Sequence, residues 1–259
     1  MNIATRPSGP AGISEVEWGV RCDLAALYRL VAHHRWTDFI YTHISARLPG
    51  PEHHFLINKY GVNFHEMRAS DLVRIDLDGR VVEDTGRTSD DVNAAGFTIH
   101  SAIHQARPDL ICVVHTHSSA GIAVSAMREG LLPLSQHAMK FYNRLAYHDY
   151  EGVALDLTER ERLVRDLGQH KAMILRNHGL LVGGTSIAEA FHQIYMLERA
   201  CAAQVAALSC GRELTIPDPA VCQHASDQFK SFENDAAHYA LVWDSALRLI
   251  EDGKSDYRV

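Results

Sequence analysis

The stretch "LICVVHTHSSAG", residues 110–121, decides how the chain is read. Its first half is continuously apolar and β-branched, which is the pattern of a strand buried on both faces. His115 and His117 fall at the end of that strand, at i and i+2. Successive strand side chains point to opposite faces, so these two imidazoles share one face while Thr116 points to the other. Two nitrogen donors on one side can share one metal ion. A second apolar strand, "KAMILRNHGLLVGG" (residues 171–184), is broken by an Asn-His-Gly turn that offers His178 as a third donor, with Gly179 allowing the sharp turn. Three neutral imidazoles from two strands leave a divalent ion open positions for substrate or water, as a catalytic site requires. The competing reading is coincidence. With 17 histidines in the chain, a His-x-His pair carries little weight by itself.

Working outward, "NAAGFTIHSAIHQARPD" (residues 93–109) has helical periodicity closed by Pro108, with His100 and His104 at i and i+4. One of these two is expected to orient the metal ligands from behind, and the other to be exposed. On the N-terminal side, residues 1–13 read as a mobile arm rich in Pro, Gly and Ser, and a single domain follows over residues 14–259. Ser14 is a candidate N-cap for a helix carrying Val16, Val20, Leu24, Leu27 and Leu30. "FIYTHISARL" and "HHFLINKYG" read as antiparallel strands, and "LVRIDLDGRVVE" as a hairpin turning at Asp78-Gly79. Further on come a helix at "SAGIAVSAMREG", a strand at "RLAYHDY", a helix capped at Thr158, a long helix capped by Thr185 or Ser186, and a last one over about 227–251. This order implies an α/β or α+β layered domain, with a central, mainly antiparallel sheet and helices on both sides.

Of the 259 residues, 46% are hydrophobic, enough for a substantial core, and the formal net charge is −7 with both signs interspersed. That balance argues against nucleic acid and anionic membrane as partners and favours a small-molecule or protein partner. Five widely spaced cysteines without a CxxC pair fit reduced thiols in a cytoplasmic protein. No apolar run reaches the length of a membrane span.

The segment from Asn93 to Met127, with "LLPLSQHAM", "AYHDYEG" and "LRNHGLLVGG", closely resembles the class II aldolase/adducin family over residues 14–210. The resemblance implies an α/β fold, the three-layer αβα sandwich, and a homotetramer with active sites between subunits. It also implies a divalent metal on His115, His117 and His178: zinc first, with manganese, iron, cobalt or nickel acceptable to the same donors. In such enzymes the metal acts as a Lewis acid toward paired substrate oxygens.

The match also has gaps. The family's sugar-phosphate aldolases carry a glutamate at the position of Gly96, phosphate-binding serines at Ala94 and Ala95, and a Gly-Asn pair at Thr42 and His43. Glycine cannot shuttle a proton, so another group must do so. The candidates are His137, Tyr142 and His148, with Gln136 and Asp149 beside them, and Tyr257 and Arg258 could grip a carboxylate over a neighbour's site. The expectation is a metal-dependent lyase that breaks a C–C bond, by aldol cleavage or decarboxylation, in a non-phosphorylated hydroxy-acid or hydroxyaromatic substrate. The alternatives are an adducin-like scaffolding module without catalysis and a three-histidine iron oxygenase.

Overall fold

The computed structural model describes residues 9–82, 86–152, 158–233, 235–251 and 255–259. Among these, seven strands form one sheet: β1 (His43–Arg47), β2 (Phe55–Ile57), β3 (Val73–Ile75), β4 (Cys112–Thr116), β5 (Ala146–His148), β6 (Ala172–Leu175) and β7 (Gly179–Gly184). Their order is β3-β2-β1-β4-β7-β6-β5. Every pair is antiparallel except β5 with β6. The helices are α1 (Glu15–His33), α2 (Ala94–Ala106), α3 (Ser119–Ser125), α4 (Gln136–Met139), α5 (Glu159–Leu167), α6 (Ile187–Ser209), α7 (Pro219–Ser231) and α8 (Ala236–Leu247).

Alternation along the central strands explains their unbroken apolar sequence. Cys112, Val114, Ile174, Leu180 and Val182 join the larger core with residues of α1, α3, α6 and α8, while Val113, Met173, Leu175 and Leu181 join a second core with α2 and α5. A strand covered by helices on both faces has no solvent side on which to place polar residues. The expected three-layer αβα architecture with a mainly antiparallel sheet is the one observed.

Local signals mostly act where the sequence places them. The Ser14 hydroxyl accepts the Glu17 N–H at 3.1 Å and starts α1. That helix presents Trp18, Cys22 and Ala25 to the core as well as Leu24, Leu27 and Leu30, whereas Val16 is exposed. Residues 1–8 of the expected arm lie outside the described residues. Within the rest, Gly9 sits against the Trp18 ring and Ile13 packs on the core. The Asp78-Gly79 turn forms, held by Asp76 Oδ1 accepting the N–H groups of Asp78 and Arg80, and the hairpin beyond it pairs at the Ile75–Val81 bridge, with Asp76 N–H donating to the Arg80 carbonyl and Val82 N–H to the Arg74 carbonyl. The single C-terminal helix expected over about 227–251 is instead two. α7 begins earlier, with Pro219 in its first turn, and the chain restarts at α8, where the Asp235 carboxylate caps Ala237 N–H and His238 N–H at 3.0 Å each. A carboxylate that can cap competes with helix continuation, and here capping wins. Asp235→Ala is expected to destabilise the protein by about 1 kcal/mol in urea unfolding, with α7 left intact.

Candidate metal centre and its cavity

The site is set by the pairing of β4 with β7. Their register puts Thr116 opposite Leu180, so the end of the His-Thr-His run meets the start of β7 just after the Asn-His-Gly turn. Asn177 takes a left-handed conformation (φ 55°), which short polar side chains tolerate, and His178 N–H closes the turn on the Leu175 carbonyl. Gly179 has a different reason to be glycine. A Cβ there would overlap the Thr116 carbonyl oxygen, so any larger residue pushes the two strands apart.

The three predicted ligands converge. The ligand-capable nitrogens of His115, His117 and His178 all lie within 4.8 Å of one another, with ring centroids 4.6–4.8 Å apart. Their tautomers follow from their other partners. His115 Nδ1 donates to the Leu180 carbonyl at 2.9 Å, and His117 Nδ1 donates to the Asp38 carboxylate at 3.0 Å. Each Nε2 is then left with a lone pair, and these two lone pairs face each other at 2.8 Å. Two facing lone pairs repel unless a cation lies between them, so the donor set fits a shared metal ion, oriented by a carbonyl and a carboxylate from behind. Burial, then the neighbouring imidazoles, keeps His115 well below the usual histidine range, and His178 is lowered to about 4. Both stay neutral at pH 7, which is the ligating form.

Behind the strand, Thr116 donates to Glu198 of α6 at 2.6 Å, and Ser118, the N-cap of α3, donates to the same carboxyl group. Burial pushes Glu198 up to about 7. Glu198 thus ties down the residue between the two ligands and the one after them. Nothing in its local sequence, an ordinary helical stripe, distinguishes it.

His117 and His178 line a cavity of about 800 Å³, together with Asp38, Tyr41, Tyr60, Asn93, Tyr150 and His43. No lysine or arginine is among the described residues of that lining. Two positions expected to differ from the aldolase pattern, Gly96 and His43, touch each other beside it. A Cβ on Gly96 would stand 2.6 Å from Cδ2 of His43, so the His43 ring fills the space that a larger residue at 96 would need. His43 lies 5.0 Å from His115 between ring centroids and is hydrogen-bonded through Nδ1 to His100 Nε2 at 2.8 Å. His100 continues to the Ser45 hydroxyl and from there to His104 Nε2. Both α2 histidines are buried and neither is exposed as expected, because β1 supplies polar partners beneath the helix.

The expected proton carriers are placed elsewhere. His137 and Tyr142 do not line the cavity of their own chain, because the segment bearing them is drawn to α6 and α7, where Ser226 donates to the Tyr142 carbonyl. His148 lies buried near His178, but both its nitrogens face carboxylates, Asp166 at 2.8 Å and Glu159 at 3.4 Å. Tyr257 and Arg258 fold back onto their own chain and meet Glu251. The sequence reading missed Asp38, Tyr150, Glu198 and the role of His43. A carboxylate 79 positions from the histidine it orients leaves no spacing signal.

The Class II Aldolase and Adducin N-terminal domain model matches residues 22–205. The chain belongs to this family. An aldolase II superfamily protein from Pseudomonas syringae is similar in structure, with a TM-score of 0.90 and 53% identity over 96% of this chain and 98% of that one. An L-fuculose 1-phosphate aldolase from Glaciozyma antarctica is similar at a TM-score of 0.81 and 31% identity, over 98% and 97% of the two chains. Alpha-adducin of Rattus norvegicus is 48% identical over 191 residues, which is 73% of this chain but 26% of the adducin. Among the described residues, no helix is long and apolar enough to cross a membrane.

Two outcomes are expected. Gly96→Ala costs about 1–3 kcal/mol through the clash with His43 and less in a His43→Ala background, so a double-mutant cycle shows coupling. Second, the metal-free protein loses stability in acid. Burial is the largest cause of the lowered values of His34, His43, His100, His115, His104 (about 3), His178 (about 4) and His192 (about 4). These rings stay neutral in the fold while the unfolded chain takes up protons near pH 6.5, so their contribution is complete above that pH and is lost below it. Glu198 acts in the opposite sense between about 4.5 and 7, one group against seven. Urea titrations from pH 7 to pH 5 should show falling stability, by up to about 1.4 kcal/mol per pH unit for each such ring, and His192→Phe should flatten the slope.

Proposed function

We propose that this chain is a divalent-metal-dependent lyase that breaks a C–C bond in a small hydroxy-acid or hydroxyaromatic substrate without a phosphate. The observation that carries this reading is the pair of Nε2 lone pairs of His115 and His117 facing each other at 2.8 Å, beside a cavity that His117 and His178 line. A metal ion bound there, with zinc as the first candidate, would supply Lewis-acid polarisation of paired substrate oxygens. The protein's part is to hold His115 and His117 in the ligating tautomer through Leu180 and Asp38, and to present Tyr41, Tyr60 and Tyr150 to an aromatic or polar substrate. The carbon freed by cleavage needs a proton. The groups on the wall able to meet it are His43 and Tyr150; His137 and Tyr142 would have to come from another subunit of the expected homotetramer. The Glaciozyma relative is named for a sugar phosphate, but a cavity whose described lining holds no lysine or arginine favours an unphosphorylated substrate. Five free thiols fit a reducing compartment such as the cytoplasm.

The second reading, a non-catalytic module, is favoured by the 48% identity to an adducin. Metal analysis of protein purified without added metal separates the two. About one ion per chain is expected, lost in the His115→Ala, His117→Ala double variant with circular dichroism unchanged. A parent protein that carries no metal and binds none when offered zinc, manganese or iron would overturn the lyase reading. Assays that pair L-fuculose 1-phosphate with unphosphorylated hydroxy acids then test the substrate class, with turnover expected only for the latter.

A further inference from the structure

A second cavity, of about 310 Å³, lies between the end of α4, the start of β6, α6 and the end of α7, and shares no lining residue with the metal cavity. We propose that it is a binding site for a small dianion, a phosphate or a dicarboxylate. Its centre is Lys140, which is 2% exposed. The Lys140 ammonium makes no hydrogen bond to a described residue; its one ion pair is to Glu233 Oε1 at 3.8 Å, and the rings of Phe141 and Phe229 lie 5.8 Å away. A buried ammonium without a hydrogen-bonded acceptor is costly, and an anion in the cavity would relieve that cost. Burial already lowers Lys140 to about 8.

The surrounding charges agree. Arg144, Lys171 and Lys230 line the same space, against Glu233 as the one carboxylate among its described lining. Glu233 is shared, since Arg144 pairs with the same oxygen through Nη2. The other guanidinium nitrogen, Arg144 Nη1, is buried with no partner. Lys171 pairs at 2.7 Å with Glu189, a fully buried carboxylate that also accepts the Thr185 N–H and hydroxyl. Four cations therefore face two carboxylates, and neither Lys140 Nζ nor Arg144 Nη1 has a hydrogen-bonded acceptor among the described residues. The volume is at the small end for ligand pockets, which suits a phosphate or a short dicarboxylate rather than a nucleotide.

The test is calorimetric titration at pH 7 and constant ionic strength with inorganic phosphate and, separately, malonate. It uses the wild-type chain, the His115→Ala, His117→Ala double variant and Lys140→Met. One anion per chain is expected in the wild type and equally in the double variant, with the tighter of the two probes identifying phosphate or carboxylate as the chemistry. Lys140→Met, which removes a buried charge at similar volume, should fold with no loss of Tm and bind at least about tenfold more weakly. If that variant does not fold, Lys230→Gln carries the same expectation. No binding of either anion, unchanged affinity in the folded lysine variant, or loss of binding in the double histidine variant would overturn the proposal. Because the double variant removes the metal ligands, failure here is distinguishable from failure of the lyase reading.

Discussion

The close approach of β7 to β4 is the constraint on which the site depends. Gly179 permits it, since a side chain there would displace the Thr116 carbonyl, and the resulting register brings His178 beside His115 and His117. The same approach puts the Leu180 carbonyl within reach of His115 Nδ1, so one backbone pairing both brings the three histidines together and fixes the tautomer of one of them. Because β4 and β7 are central strands with helices on both sides, the core fixes His115 on β4 and holds His117 and His178 one residue beyond the paired ends of the two strands.

Around this centre the polar groups form two buried supports. On one face of the sheet, Glu198 takes both hydroxyls that flank His117. On the other, His43, His100, Ser45 and His104 form a hydrogen-bonded chain that runs from the cavity wall to the interior under α2. Buried polar chains of this kind stabilise a unique arrangement only when their members are paired, and a single apolar replacement leaves the next member unsatisfied. The absence of a side chain at Gly96 belongs to this second support. The space that a larger residue would need there is held by an imidazole from β1, so positions 96 and 43 constrain each other.

Much was legible in the chain because it depends on short-range periodicity. The continuous apolar run of β4, the alternation that puts His115 and His117 on one side, the Ser14 cap and the three clustered histidines could all be read from spacing or from the family pattern, while the choice of Ser186 over Thr185 as the α6 cap comes from the fold. Departures from the expected placement have local causes as well. Asp235 lies in a stretch of unbroken helical periodicity, and its capping role shows only where the helix restarts. His137 and Tyr142 sit in a segment rich in catalytic residue types, but packing against α6 and α7 carries it away from the cavity.

The sequence by itself determined most of the elements, the layered fold, the three histidines that come together and the glycine at position 96. These follow from residue type and from separations of a few positions, over which backbone geometry is nearly fixed. Only the tertiary structure decided which distant groups complete the site: Asp38 behind His117, Glu198 behind Thr116 and His43 in the space beside Gly96. Those partners lie 79, 82 and 53 positions away along the chain. Contacts over such separations are set by how the sheet and helices pack, and no local pattern records them.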